Sequence, residues 1–483
     1  MEIARKIARL IFPHYRFGET RIDDAIKLVK LGVGGFCLYG GSVDEVIETV
    51  RILRSESDHP LLFAADYENG VGQWVIGATK LPPNMAIAAT GDLSLARRKA
   101  EITAIESDAL GVDWVFAPVV DLADNHSNPI VNIRAFSDDI STTIAFAKDY
   151  ISGLNSFNII NSIKHFPGHG STSVDSHLVL PEINKTFDEI YNYDMQPFRY
   201  LCDVTDSVMV GHIMITSVDK NPASLSKKFI SDILKEKMNF KGVVITDALM
   251  MKAINNDTDA GVMAFMAGAD FLLYPTDSYH LYENLLRAYS KGDISEAMIG
   301  SSLKRIEKLI SKRMLSNYRI KDISVVGSKE HKEFVSDIAP KAISWAKEYI
   351  AGKEKIFYLE IPQINGEFKG EIFVDELKKC GFEISNLIDD ANTVIVGIFS
   401  SPKAFSGSIN LGEKEKKMID EIISKNKKVI GVSFGSPFVF DGYLDKFDGA
   451  LCCFCDLPDF QKVAAKAISG EVKVYGKLPV RIL

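Results

Sequence analysis

From about residue 30 to residue 275 the chain alternates short β-rich apolar runs with longer stretches of helical period, and polar residues of unusual chemistry stand where the apolar runs stop. The strand candidates are 34–39, 61–66, 114–120, 159–165, 207–212, 242–246 and 270–274. Between them 43–54, 93–110, 142–152, 226–237 and 278–291 carry helical periodicity. Continuous apolar runs bounded by turn residues suit strands buried on both faces of a parallel sheet. Repeated seven or eight times over some 300 residues, the pattern favours a (β/α)8 barrel over an open doubly wound sheet. Asp66, Lys164, His165, His212 and Asp247 all fall at or just beyond the C-terminal ends of the proposed strands. In a barrel those ends share one face, the one on which active sites are built.

The 483 residues exceed one barrel, so a second domain is expected. Beyond a polar, basic stretch at 304–321 and an amphipathic helix expected over 328–347, β and α runs resume at 356–360, 371–379, 393–398, 413–424, 428–433, 450–454 and 457–468. The reading is therefore α/β throughout: an N-terminal (β/α)8 TIM-type barrel over 1–315, a linker over 316–330, and a smaller α/β three-layer sandwich over 331–483. A formal charge of −8 with no basic stripe argues against nucleic-acid binding. Residues 1–17 read as an amphipathic helix, without the apolar stretch and cleavage site of a signal peptide. The most apolar window, 261–274, is too short to span a bilayer. Cys37, Cys202 and Cys380 stand isolated among apolar neighbours and Cys452, Cys453 and Cys455 cluster without metal-site spacing, so the expectation is a cytoplasmic protein with reduced thiols and no membrane association.

Three motif-like patterns lead nowhere. Gly431-Val-Ser433-Phe-Gly435 matches a nucleophile elbow, but no histidine follows His331 to complete that fold's triad. His165 and His169 have the spacing of a helical zinc pair, yet Pro167 and Gly168 break the helix the pair requires. The glycines at 32, 34 and 35 precede a strand rather than joining strand to helix, so they cradle no phosphate. No metal and no cofactor are expected.

Chemistry concentrates elsewhere. His165, His169, His177 and His212 lie within 48 residues, three of them in the segment Lys164-His-Phe-Pro-Gly-His-Gly-Ser-Thr-Ser-Val-Asp175-Ser-His177. In an extended backbone, side chains two apart point the same way, so Asp175 can hold one imidazole nitrogen of His177 and raise its basicity. That pairing is a general acid/base dyad. Asp247 follows the apolar run at 242–246; it reads as a nucleophile, a general base, or an N-cap for 248–253.

These motifs resemble the β-N-acetylglucosaminidase branch of glycoside hydrolase family 3. The resemblance extends to Gly34-Gly35-Phe36, Asp66-Tyr-Glu68-Asn-Gly70, Asn132-Ile-Arg134-Ala-Phe136 and the closing Gly476-Lys-Leu-Pro479-Val, so it covers nearly the whole chain. It implies a retaining double displacement: Asp247 attacks the anomeric carbon, and His177, oriented by Asp175, protonates the leaving oxygen and later activates water. A histidine would thus replace the second carboxylate that glycosidases ordinarily use. The resemblance also implies that Asp66, Arg134, Lys164 and His165 bind the sugar hydroxyls, with His212 expected beside them. Where Asn69, Ala135, Thr246 and Ala248 stand, the family usually has other residues, a departure that bears on substrate preference. The implied activity is exo-release of terminal N-acetylglucosamine from small saccharides such as muropeptide or chitooligosaccharide fragments, by a monomer or homodimer. Two other readings share the site: a phosphorylase with phosphate as acceptor, and a non-catalytic sugar-binding homologue.

Overall fold

A computed structural model describes residues 2–176, 178–251, 254, 257–314, 320, 322–362, 369–402, 409 and 411–483, with backbone alone at 2, 257 and 258. The chain divides into two compact units: Met1–Leu81, Ser94–Leu122 and Thr143–Ser328 form one, and Pro82–Leu93, Ala123–Thr142 and Lys329–Leu483 form the other.

In the first unit the strands are β1 (Ile11–Phe12), β2 (His14–Arg16), β3 (Gly35–Tyr39), β4 (Leu62–Ala65), β5 (Trp114–Val115), β6 (Ile160–Phe166), β7 (Ser207–Val210), β8 (Val243–Thr246) and β9 (Leu272–Leu273). From β2 to β8 they pair in chain order, all parallel. β1 pairs with β9, and Ile245 bridges Phe271, so the ring closes. Ile11–Arg16 acts as one barrel strand interrupted at Pro13, which has no N–H to offer a ladder. This corrects the helix expected over 1–17: only Glu2–Ala8 is helical, and the following residues become strand because β3 and β9 supply partners.

Aromatic rings fill the barrel. Phe12 meets Trp114 at 5.8 Å, which brings together two strands that do not pair with one another; Phe271 lies 5.2 Å from Phe12, and Phe116 5.1 Å from Trp114. The Gly34–Gly35 pair belongs to this packing. A Cβ at Gly35 would lie 2.0 Å from the Leu62 carbonyl, and one at Gly34 2.6 Å from the Phe271 ring. At the N-terminal end of β9, the fully buried Asp270 carboxylate is forked by Arg305, with nitrogens at 2.7–3.0 Å.

The second unit carries a six-stranded sheet in the order β10 (Ser344–Lys347), β15 (Gly449–Cys452), β14 (Lys428–Ser433), β13 (Thr393–Ile398), β11 (Lys355–Ile361) and β12 (Glu383–Ser385). β10 alone runs antiparallel. The helix expected over 328–347 ends at Ala342, because Ser344–Lys347 pairs with β15. In the Gly431–Gly435 turn the Ser433 hydroxyl donates to the Ser436 carbonyl at 2.6 Å, a structural use of that serine. Barrel and sandwich are thus the architecture of the chain. Among the described residues no helix is long and apolar enough to cross a membrane.

Candidate active site

Lys164 sits near the C-terminal end of β6 with its side chain almost wholly buried. Its ammonium meets Asp66 Oδ1 at 2.8 Å and Glu68 Oε1 at 2.5 Å. A buried cation requires such compensation, and here it receives two carboxylates from the segment that follows β4. Asp66 also accepts a hydrogen bond from the Tyr39 hydroxyl at 3.2 Å, while its carboxylate keeps partial exposure. Burial, reinforced by the nearby Cys37 and Asp66, pushes the Tyr39 phenol far above its ordinary range, so it stays a donor. Glu68 stands in the motif that includes Asp66, yet nothing in its local sequence marks it as the partner of Lys164.

Beside this triad, Asp121 organises the segment from His165 to His169. Its carboxylate accepts the backbone N–H of His165 at 3.1 Å, the backbone N–H of His169 at 2.7 Å, and Nδ1 of the His165 ring at 2.7 Å. Burial alone would raise the Asp121 carboxyl. The charges of His165 and His169 and these hydrogen bonds outweigh it and hold the group below its usual value. Sequence reasoning missed Asp121. The available signal was the one that marked Asp66 and Asp247, an acid directly after an apolar run. The His165 and His169 rings pack edge to face at 5.6 Å. His169 bonds Thr172 Oγ1 at 2.7 Å and Ser176 Oγ at 3.0 Å. Burial and the neighbouring His165 lower its pKa to about 4.

Asp247 follows β8 and remains partly exposed. Its N–H bonds the Val210 carbonyl at 2.9 Å, and Oδ1 accepts the N–H of Ala248 at 2.8 Å. Among the described residues no helix begins at Ala248, and the segment 248–253 that Asp247 was expected to cap lies partly outside them. The field of Asp247 reaches His169. His212 behaves differently from the sugar ligand that its strand-end position suggests. It is fully buried, with Nδ1 on Ser224 Oγ at 2.6 Å and Nε2 on the Ala248 carbonyl at 3.1 Å.

Asp175 and Ser176 are buried, 3% and 2% exposed, between the exposed pairs Ser173–Val174 and Leu178–Val179. The Asp175 carbonyl accepts the N–H groups of Leu178 and Val179, each at 3.0 Å, so Asp175 opens a turn where the spacing argument expects an extended backbone. His177 lies outside the described residues. Arg134 belongs to the second unit. Its guanidinium donates to the Ile130 carbonyl at 3.0 Å, and its own carbonyl accepts from Asn84 at 2.9 Å. The loop that carries it is tied to the chain's end. Ser137 Oγ donates to the Pro479 carbonyl, Asp138 accepts the N–H of Arg481 at 3.2 Å, and His126 pairs with Asp441 at 2.7 Å.

Several comparisons bear on this arrangement. Residues 2–309 match the model of the glycosyl hydrolase family 3 N-terminal domain. A β-hexosaminidase from Haemophilus influenzae strain PittEE is 35% identical over 240 residues, covering 48% of this chain and 68% of the relative. β-Hexosaminidase A of Pseudoalteromonas piscicida is 25% identical and covers 94% of this chain and 90% of its own length. The solved structure of a glycoside hydrolase family 3 β-N-acetylglucosaminidase from Paenibacillus sp. strain FPU-7 superposes with a TM-score of 0.87 at 25% identity, over 100% of this chain and 99% of that one. A β-glucoside phosphorylase shares the fold, with a TM-score of 0.89 at 22% identity over 99% and 93% of the two chains. With barrel, sandwich and polar strand ends in place, the chain belongs to glycosyl hydrolase family 3.

Proposed function

We propose that the protein is a retaining exo-β-N-acetylglucosaminidase that removes terminal, non-reducing N-acetylglucosamine from small saccharides, muropeptide or chitooligosaccharide fragments among them. The observation that carries this reading is the polar cluster at the strand ends: Lys164 held between Asp66 and Glu68, His165 oriented by Asp121, and a partly exposed Asp247 on β8. Hydroxyl groups both donate and accept, so a mouth lined by fixed cations and carboxylates suits sugar recognition, and charge-assisted bonds are the stronger kind. The relatives' names support the acetamido-sugar substrate.

In this mechanism the Asp247 carboxylate attacks the anomeric carbon as the glycosidic bond breaks, and the leaving oxygen takes a proton from His177. The glycosyl-enzyme ester is then opened by water, whose proton returns to His177. Asp175 holds that imidazole, and Asp66, Lys164 and His165 bind hydroxyls. His212 and Ser224 support the Ala248 carbonyl next to the nucleophile. Six buried, free thiols suit a reducing, cytoplasmic setting. The test is the aryl β-N-acetylglucosaminide turnover of Asp247→Ala, expected to vanish with the melting transition retained; full activity overturns the assignment. Product identity in phosphate buffer separates the acceptors: free N-acetylglucosamine fits hydrolysis, and its 1-phosphate makes the enzyme a phosphorylase.

A further inference from the structure

The proposed mechanism gives no task to the buried His169. His169 is 1% exposed, and its ring bridges two points of the loop that follows β6. Nδ1 lies 2.7 Å from Thr172 Oγ1 and Nε2 lies 3.0 Å from Ser176 Oγ. The Thr172 hydroxyl has one proton and donates it to the His169 carbonyl at 3.0 Å. A neutral imidazole carries one N–H donor and one acceptor nitrogen, so the ring can join the Thr172 and Ser176 hydroxyls at once. His169 is itself fixed at the backbone, because Asp121 accepts its N–H at 2.7 Å and the Gly168 N–H closes the preceding turn on the His165 carbonyl at 2.8 Å.

The stems of this loop are held independently. Ser171 Oγ donates to Asp194 at 2.5 Å, and Lys185 reaches the same carboxylate at 2.9 Å. Further along, Ile183 and Pro181 exchange backbone bonds with Met214 at 2.9 and 2.8 Å. Between the stems the chain turns outward at Ser173–Val174, inward at Asp175–Ser176, and outward again at Leu178–Val179. A loop with exposed apolar residues on both sides has no hydrophobic reason to bury two polar ones. The Ser176–His169 bond supplies a reason, and Ser176 is the residue between Asp175 and His177 in the chain.

We propose that His169 is a positioning residue for proton transfer: through Ser176 it fixes the inward turn that carries Asp175, and so sets the acid/base pair relative to Asp247. This inference rests on the acid/base role assigned above to Asp175 and His177.

The experiment compares kcat/KM for two substrates, chitobiose, whose departing sugar needs a proton, and 2,4-dinitrophenyl β-N-acetylglucosaminide, whose phenol leaves almost unaided. General acid–base catalysis contributes about 10²–10⁴-fold, and a misplaced acid forfeits part of it. His169→Phe and Ser176→Ala are each expected to lose about 10- to 100-fold on chitobiose and less than about 3-fold on the dinitrophenyl substrate. His169→Gln, whose amide can still meet Ser176, should recover most of the loss. Ser176→Ala removes a single hydroxyl and keeps the comparison available if His169→Phe does not fold. Equal losses on both substrates, or none, overturn the proposal. His177→Ala run alongside separates the two layers. If it shows the leaving-group signature while His169→Phe and Ser176→Ala do not, the positioning role falls alone; if it too lacks the signature, the acid/base assignment falls with it.

Discussion

Replacing Asp121 by asparagine tests the core of the site, because one buried carboxylate receives three N–H donors there: the backbone of His169 at 2.7 Å, the backbone of His165 at 3.1 Å and the His165 ring at 2.7 Å. Asparagine keeps one acceptor oxygen for the two backbone donors and sets an NH2 group against the ring. Hydrogen bonds to charged groups contribute about 1.5–3 kcal/mol against about 1 for neutral ones, so the two backbone bonds weaken and the third becomes a donor–donor conflict. The expected loss is roughly 2–4 kcal/mol, or about 4–10 °C in melting temperature for a unit of this size. The conflict resolves if the imidazole proton moves from Nδ1 to Nε2, which reverses the polarity His165 offers a sugar hydroxyl. One such bond corresponds to about 5- to 150-fold in kcat/KM. Acid stability gives a second readout. Because the folded-state carboxyl lies below its unfolded value, its contribution is complete above roughly pH 4 and fades as pH falls through the lower folded value; the asparagine variant should lack that decline. Thermal melts from pH 3 to 7 and Michaelis–Menten kinetics on an aryl β-N-acetylglucosaminide measure both effects. A variant that melts within 1 °C of the parent and keeps its kcat/KM would refute the role given to Asp121.

Other perturbations separate the mouth of the barrel from its base. Lys164→Met leaves Asp66 and the buried Glu68 without their shared cation; a loss of about 3–5 kcal/mol is expected in urea unfolding, with turnover abolished, and adding Glu68→Gln should recover part of the stability but no activity. Arg305→Met removes the fork from Asp270 at the opposite end of β9 and should cost about 3 kcal/mol while KM stays at the parent value. Ser224→Ala strips the Nδ1 partner from buried His212, with an expected loss of about 1–2 kcal/mol and a fall in kcat that exceeds any rise in KM. His169 titrates near 4 when folded and near 6.5 when unfolded, so the unfolded chain takes up the extra proton and stability falls as pH drops from about 6.5 to about 4. Between pH 7 and pH 5 this amounts to roughly 2 kcal/mol, and His169→Gln should flatten that slope in urea titrations.

What the sequence made legible follows from which forces are local. Thr393–Ile398, Lys428–Ser433 and Glu371–Lys379 have the bounds their apolar patterns predict, because continuous burial on a parallel sheet and one-sided burial on a helix both print a period in the residues themselves. Ile11–Arg16 prints none. It is short, basic and broken by Pro13, and it is a strand only because β3 and β9 lie against it. Pro82–Leu93 and Ala123–Thr142 likewise read as connections within the barrel, yet they pack with the second unit; the helix Asn84–Ala89, buried along its length, packs on Asn132–Arg134 and on the helix Lys329–Ala342, which lies far along the chain.

The same limit separates site residues from their supports. His165 and His212 are both histidines at the ends of apolar strands, and nothing in their neighbours along the chain tells them apart. Asp121 takes one nitrogen of His165, whereas Ser224 and the Ala248 carbonyl take both of His212. An imidazole with both nitrogens engaged in the interior has no capacity left for substrate, and it serves the backbone instead. Asp66 and Glu68 divide in the same way: two residues apart on one motif, both paired with Lys164, one keeps a partly exposed carboxylate and the other is buried. On the proposed function, the residue types at the strand ends identify the face on which the chemistry is built, and the remote partners of each side chain separate those offered to a sugar from those that hold them in place.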